Sequence, residues 1–136
     1  MKILEKVQAI FAEYELNPIE LPEGYKNVYQ YQRDYPDEEK KFESEKTDGY
    51  FFNKYRAHIP RGWYGFSLGD PIVPEWCEIL EKVLDICLET DPSFEIHQIK
   101  IKFGGIRFYC SSEVIEDLHD VEFLIENKLH DPKLIY

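Results

Sequence analysis

The stretch Ile96-His97-Gln98-Ile99-Lys100-Ile101-Lys102-Phe103-Gly104-Gly105-Ile106-Arg107-Phe108-Tyr109-Cys110 decides the fold of this chain. Two runs of alternating residues flank a Gly-Gly pair, which is a strong signal for a β-hairpin. Glycine readily adopts the positive φ values of a two-residue type I′ turn, so Gly104 and Gly105 are placed in the turn. The predicted opposite pairs are Phe103 with Ile106, Lys102 with Arg107, Ile101 with Phe108, Lys100 with Tyr109 and Ile99 with Cys110. The core face then carries Ile99, Ile101, Phe103, Ile106, Phe108 and Cys110.

The other face of this hairpin is basic and carries Lys100, Lys102, Arg107 and Tyr109. Like charges directly opposite each other are destabilising unless something neutralises them. In one interpretation, acids of Glu75–Glu89 or Glu113–Glu126 pair with this face and dock a helix on it. In the other, Lys100, Lys102 and Arg107 bind an anion or an acidic partner.

Length, composition and charge indicate one folded, acidic domain over residues 1–136. The chain is 43% hydrophobic and 15% aromatic, which argues against a disordered acidic tail. Its net charge of −11 argues against direct binding to nucleic acid or to an anionic membrane, since both repel a negative surface. Residues 74–136 hold 14 acids and 6 bases, so most of the negative charge belongs to this half.

Periodicity along the rest of the chain predicts an α+β fold, with a small antiparallel sheet, including the Gly-Gly hairpin, packed against about three helices. Crossover units of a parallel sheet are not evident. The expected elements are a helix over Lys2–Glu15, a strand over Asn27–Arg33, a charged loop or short helix over Asp34–Asp48, irregular structure or short strands over the aromatic segment Gly49–Asp70, a central helix from Pro74 to about Thr90, a last helix over Glu113–His130 and a short edge strand over Lys133–Tyr136.

Chemistry-bearing motifs are sparse, which favours a non-enzymatic protein without a cofactor. Cys77, Cys87 and Cys110 lack metal-ligand spacing and are interpreted as reduced core thiols of a cytoplasmic protein. The histidines show no metal-binding spacing, and His119 is interpreted as a surface residue paired with neighbouring acids. Nucleophile-elbow, P-loop and dinucleotide-binding patterns are missing, and no signal peptide or membrane-spanning run is recognised.

The last helix carries the sharpest functional signal. Val114, Leu118, Val121, Ile125 and Leu129 form its predicted buried stripe. The predicted partner-binding residues are Glu116, Asp117, Asp120, Phe123, Leu124 and Asn127. Two large apolar side chains ringed by acids match the anatomy of a protein interface, an apolar anchor with a charged rim. The alternative is that the C-terminal tail or another element covers them.

From Gly62-Trp63 through the helix at Pro74 to Lys102-Phe103-Gly104-Gly105-Ile106-Arg107-Phe108-Tyr109, the chain resembles a family of small, uncharacterised proteins of bacteria and their phages. A K-F-G-x-L-R-F-Y hairpin that follows a helix marks this family. The resemblance implies a fold and a bacterial or phage source, and no reaction. Members often end in a Cys-x-x-Cys-like motif, whereas Leu129-His130-Asp131-Pro132-Lys133 holds no cysteine.

These features lead us to expect an immunity protein that neutralises a cognate bacterial toxin, with a basic nuclease domain as the partner. A phage accessory protein that binds a host protein or mimics nucleic acid is the second expectation. A small-ligand binder or enzyme built on Tyr50–Phe66 and the Lys100, Lys102 and Arg107 face is the third. A deep pocket joining those two elements would favour the third.

Overall fold

The computed structural model describes residues 1–37, 45–69 and 73–134, and it confirms the α+β class. Within these residues five α-helices accompany a three-stranded sheet. The helices are α1 Leu4–Ala12, α2 Val28–Asp34, α3 Asp48–Tyr55, α4 Pro74–Thr90 and α5 Leu118–Lys128. The strands are β1 Gly65–Ser67, β2 Glu95–Lys102 and β3 Gly105–Ser111. Short 3-10 helices cover Arg56–His58 and Pro132–Leu134.

The sheet is mixed, so the prediction of a purely antiparallel sheet is wrong. The strands lie in the order β1-β2-β3, and β2 and β3 form the antiparallel hairpin. β1 pairs with β2 in parallel, with Phe66 opposite Ile99, and α4 forms the crossover between them. With only three residues, β1 is too short for an alternating pattern to reveal it.

The hairpin turn lies one residue earlier than predicted, at Phe103 and Gly104. Both residues have positive φ, 53° and 78°, as a type I′ turn requires. The observed pairs are Lys102 with Gly105, Ile101 with Ile106, Lys100 with Arg107, Ile99 with Phe108 and Gln98 with Tyr109. Each residue of β2 therefore pairs with a β3 residue two positions earlier than predicted. The two faces of the hairpin are preserved because side chains alternate with a period of two. Phe103 is the exception, since it leaves the core face and is 70% exposed.

Gly105 lies outside the turn, as the first residue of β3, because residues 129–131 pack against it. The Ile106 amide donates to the Leu129 carbonyl at 3.0 Å, and the Asp131 amide donates to the Gly104 carbonyl at 2.8 Å. A Cβ on Gly105 would lie 3.0 Å from the His130 ring. This pairing covers part of the open edge of β3. The residues that pair with Gly105 precede the predicted edge strand Lys133–Tyr136. Lys133 and Leu134 belong instead to the 3-10 helix Pro132–Leu134, and residues 135–136 lie outside the described residues.

One apolar cluster forms the core. α4 contributes the largest share from one broad face, and Glu78, Lys82 and Glu89 are exposed on its other face rather than covered as predicted. Its buried residues are Trp76, Cys77, Ile79, Leu80, Val83, Leu84 and Cys87. The hairpin contributes Ile96, Ile99, Ile106 and Phe108 from one face. α1 packs against α4 and α5, while α5 lies along β3, so the opposite face of the hairpin points away from this core.

Two segments are helical where the sequence predicts strands or irregular structure. In each, a capping side chain stabilises the helix more than the alternating pattern favours a strand. Residues 28–34 are helical, since the Asn27 side chain accepts a hydrogen bond from the Gln30 amide at 2.9 Å. Helix α3 occupies the start of the aromatic segment, where the Thr47 side chain accepts from the Tyr50 amide. Phe51 and Tyr55, four residues apart, are both buried. The predicted helix Lys2–Glu15 is confirmed over Leu4–Ala12, and residues 38–44 of the charged run lie outside the described residues.

Replacing Phe103 with Asn should stabilise the fold. The change creates an Asn-Gly turn, and Asn tolerates the left-handed backbone that costs other residues roughly 1–2 kcal/mol. We expect the free energy of unfolding in urea to rise by about 1 kcal/mol. Phe103→Ala is the control, because it removes the ring and keeps the backbone cost. An equal gain in both variants would contradict this explanation.

Candidate functional site

The outward surface of α5 is the first candidate site. We define the α5 surface as Glu116, Asp120, Phe123 and Asn127. Phe123 is 68% exposed, and the three polar residues are exposed as well, with Asp120 and Asn127 within about one helical turn of it. The Asn127 side chain donates to the Phe123 carbonyl at 2.7 Å, and Glu116 lies 3.4 Å from the N-terminal amine of Met1. Asp120 forms no hydrogen bond or salt bridge within residues 1–37, 45–69 and 73–134, so its charge is available to a partner.

Asp117, predicted to bind a partner, is instead a buried structural residue. It is 7% exposed and accepts hydrogen bonds from the amides of Ile3, at 2.9 and 3.1 Å, and Leu4, at 2.9 Å. Burial raises the pKa of the Asp117 carboxyl, but the backbone hydrogen bonds outweigh burial and lower it. The carboxylate therefore caps α1 from a position 114 residues away along the chain.

Leu124, also predicted to contact a partner, is half-buried against the core. It lines an open groove of about 600 Å³ between α1 and α5, together with Phe11, Tyr14 and Leu16. Of the two predicted apolar anchors, Phe123 alone projects outward. The last helix is also shorter than predicted, since it begins at Leu118, and Val114 is 44% exposed rather than part of the buried stripe.

Most acids of residues 74–136 are engaged inside the protein. Nine of them make salt bridges or hydrogen bonds to described residues: Glu81, Asp85, Asp91, Glu95, Glu116, Asp117, Glu122, Glu126 and Asp131. Five make neither to another described residue: Glu75, Glu78, Glu89, Glu113 and Asp120. The acidic surface open to a partner is therefore smaller than the net charge indicates.

The outer face of the sheet is the second candidate site. We define the sheet surface as Lys100, Lys102, Arg107 and Tyr109, with Phe103 at its tip. The Lys100 ammonium lies 5.7 Å from the Tyr109 ring centre, and the Lys102 ammonium lies 5.5 Å from that of Phe103. Lys100, not Lys102, stands opposite Arg107. The like-charge pair predicted from the sequence is thus present, but between different residues.

One acid of the predicted ranges reaches this surface. A Glu126 oxygen lies 3.7 Å from the Arg107 guanidinium, and the other accepts from the Phe108 amide at 3.4 Å. Glu126 thereby covers an edge amide of β3 that β2 does not use. Within the described part of the chain, Lys100 and Lys102 have no salt bridge. The interpretation that acids of these two ranges pair with the face therefore holds for Arg107 alone, whose side chain stays 35% exposed.

The aromatic segment divides between the core and the surface. Phe51, Tyr55 and Phe66 pack together in the core, with Phe51 and Phe66 stacked at 5.1 Å between ring centres. Trp63 is 49% exposed and packs instead on His97, near the start of β2, with 4.9 Å between the ring centres. His97 is an extra residue in β2, where the pairing with β3 shifts register. The sequence carries a signal for this bulge, because the two polar residues His97 and Gln98 between Ile96 and Ile99 break the alternation.

A charged network joins α3 to α4. Glu81 binds the ammonium groups of Lys46 at 2.6 Å and Lys54 at 3.1 Å, and it accepts a hydrogen bond from the Tyr50 hydroxyl. Burial raises the pKa of Glu81, but these three hydrogen bonds outweigh burial and lower the pKa to about 2. Since the Glu81 side chain is 16% exposed, the network serves to dock α3.

The thiols and histidines offer little reactive chemistry. Burial raises the pKa of Cys87 to about 12 and that of Cys110 well above its ordinary value, so both stay protonated at neutral pH. His119 lies 3.7 Å from Glu122 with its side chain 94% exposed, which confirms a surface position beside an acid. In residues 1–37, 45–69 and 73–134, no three His, Cys, Asp or Glu side chains group as metal ligands would. Nor is any helix in these ranges long and apolar enough to cross a membrane.

Comparison of the chain with protein-family models, with curated proteins and with solved structures finds no match. The resemblance to the family marked by the K-F-G-x-L-R-F-Y hairpin therefore stays a prediction. Function is therefore inferred from the α5 surface and the sheet surface.

Removing the Asp117 carboxylate should destabilise the protein markedly. Asp117→Ala leaves the Ile3 and Leu4 amides without their acceptor, so the free energy of unfolding should fall by about 2 kcal/mol. Asp120→Ala, three residues further along, removes an exposed carboxylate and should cost less than about 1 kcal/mol. Denaturant titrations of both variants measure the difference. Similar losses would mean that Asp117 has no special capping role.

Glu81→Gln should weaken the docking of α3 in a pH-dependent way. The folded-state pKa lies below the ordinary value of 4.5, so the stabilisation is complete above pH 4.5 and lost as the pH falls towards 2. At neutral pH the variant should lose about 2 kcal/mol of stability. Thermal unfolding across this pH range should show the two proteins converging in acid. Glu89→Gln, at an exposed position of the same helix outside this network, should run parallel to the unmodified protein.

Proposed function

We propose that this chain is a non-enzymatic immunity protein that binds and neutralises a basic bacterial toxin domain through the α5 surface. The single observation that carries the proposal is Phe123, a large aromatic side chain that is 68% exposed on a well-packed helix. The exposed acid Asp120 lies about one helical turn before it and makes no salt bridge or hydrogen bond to another described residue. An apolar anchor with a charged rim is the arrangement in which a few residues supply most of the binding energy.

The buried side of α5 supports this role because it fixes the α5 surface in one position. Leu118, Val121 and Ile125 are buried in the core, and Asp117 ties the start of the helix to α1. A site carried on a fixed helix loses little conformational entropy on binding. The α5 surface is therefore presented in one orientation to an incoming partner.

The charge of the chain favours a cationic partner. A surplus of acids accelerates association with a basic protein, and acids placed over a nuclease cleft compete with the phosphates of its substrate. Because Asp117 is buried and Leu124 is half-buried, the contact rests on the α5 surface alone. A phage accessory protein that binds a host protein would use the same surface, so the adjacent gene distinguishes the two functions.

The experiment is co-production of the chain with the product of the adjacent open reading frame. We expect that product to arrest growth alone and to be neutralised in a stable complex with the chain. Phe123→Ala should accelerate dissociation by roughly 30-fold, as expected for the loss of a central anchor. Biolayer interferometry of the purified pair measures both rate constants.

The charged rim should act on association instead. Glu116→Gln with Asp120→Asn should slow association at low salt by roughly threefold to tenfold and flatten its salt dependence. The matched control is Glu20→Gln with Glu23→Gln, which makes the same change in charge at two other exposed acids. Equal slowing by both pairs, or a verified complex indifferent to Phe123→Ala, would remove α5 from the interface.

A further inference from the structure

We propose that the sheet surface is a separate binding site for single-stranded nucleic acid, with phosphates on Lys100, Lys102 and Arg107 and bases stacked on Tyr109 and Phe103. This inference goes beyond the immunity function and does not depend on it. The site lies on the face of the sheet that points away from the core to which α5 contributes.

The aromatic groups of this face are unusually exposed. Among the described residues, nine large hydrophobic side chains are exposed, and four of these belong to the sheet or border it. They are Trp63 at 49%, Tyr64 at 76%, Phe103 at 70% and Tyr109 at 46%. Aromatic side chains on an open sheet are the platforms on which single-stranded nucleic acids stack their bases.

The cations of this face are concentrated on two adjacent strands. Lys100 stands directly opposite Arg107, an arrangement that is destabilising unless an anion lies near both. Glu126 reaches Arg107 from beyond the β3 edge at 3.7 Å, which leaves both lysines without a salt bridge to a described residue. Glu126 supplies a counter-charge to Arg107 alone, so a phosphate group beside Lys100 and Lys102 would neutralise the two cations that have no salt bridge to a described residue.

Cations and rings alternate along the sheet in the way that a nucleic-acid strand requires. Lys100 lies over the Tyr109 ring, and Lys102 lies over the Phe103 ring. From Gln98, opposite Tyr109, to Phe103 is a run of about 17 Å at the usual rise of a strand. This length suits a few extended nucleotides. Trp63, whose ring packs at a 39° tilt against that of His97, extends the row of rings beyond Tyr109.

The backbone of Phe103 is a further argument for function. Its φ of 53° is unfavourable for a residue with a Cβ, and its ring is too exposed to repay that cost through core packing. Such residues concentrate at functional sites, where the strained conformation presents a group to a ligand. An aromatic ring held at a hairpin tip is suited to stack on a base.

The negative net charge of the chain does not prevent this contact. At physiological ionic strength, exposed charges more than about 8 Å apart are largely screened. The three cations therefore act locally, and binding should be of modest affinity. An acidic peptide would pair its carboxylates with the same cations, but it has no flat group to stack on the rings of Tyr109 and Phe103.

The test is fluorescence anisotropy of a labelled oligothymidylate of about 12 nucleotides, titrated with the intact chain between about 50 and 200 mM salt. We expect saturable binding whose logarithmic salt dependence has a slope of about −2, for three neutralised phosphates on a single strand. Lys100→Gln with Lys102→Gln should reduce the slope to roughly −0.7. Lys6→Gln with Lys26→Gln makes the same change in net charge at two exposed lysines, one in α1 and one before α2, and should leave the slope unchanged.

Variants of the rings separate stacking from charge. Tyr109→Ala should weaken binding at least about fivefold, while Tyr109→Phe should retain it. Phe103→Asn should weaken binding although it stabilises the fold, so a loss of binding there cannot arise from unfolding. All these variants leave the α5 surface intact, so their results are independent of those for the toxin complex.

Three outcomes would overturn the proposal. The first is no saturable binding of the oligothymidylate at about 50 mM salt. The second is equal affinity for an abasic oligomer of the same length, which would show that the site takes phosphate without bases. The third is tighter binding of a polyglutamate peptide, which would reassign the sheet surface to an acidic protein partner.

Discussion

Buried carboxylates that accept hydrogen bonds from distant backbone amides hold the two ends of this fold together. Asp117 accepts from Ile3 and Leu4, and Asp131 accepts from Ile19 at 2.7 Å. The Lys133 side chain also donates to the Ile19 carbonyl. A buried amide without an acceptor is costly, so these contacts determine where α1 and the following loop can lie. The core, the groove beside α5 and the orientation of the α5 surface all depend on them.

This role explains why part of the site could be predicted from the sequence and part could not. Phe123 was predicted to project outward because helical periodicity is a local property, and it does. Asp117 looked like its acidic neighbours because the amides that it caps lie 114 residues away. A count of charges in one sequence does not separate an aspartate on the surface from one that serves as a buried acceptor. Three of the acids in residues 74–136 are of this second kind: Asp91, Asp117 and Asp131.

The hairpin shows the same division between local and distant constraints. Its two strands, its turn type and its two faces follow from alternation and a glycine pair. The choice between Gly104-Gly105 and Phe103-Gly104 as the turn depends on residues 129–131, which pair with the start of β3 and need a glycine there. Helix α2 departs from the predicted strand for a related reason, since one Asn27 cap outweighs four or five alternating residues. Central helix α4, with Pro74 at its start and a long apolar pattern, required no distant information.

The joining of the two ends has a consequence for how the chain is made. During synthesis α1 emerges first, yet the acceptors for its leading amides and for Ile19 arrive only after more than a hundred further residues. Contacts so far apart in sequence slow folding, because loop closure precedes any gain from them. Until then the apolar side of α1 stays uncovered by α5. A nascent chain of this kind depends on chaperones or on rapid completion to escape premature association.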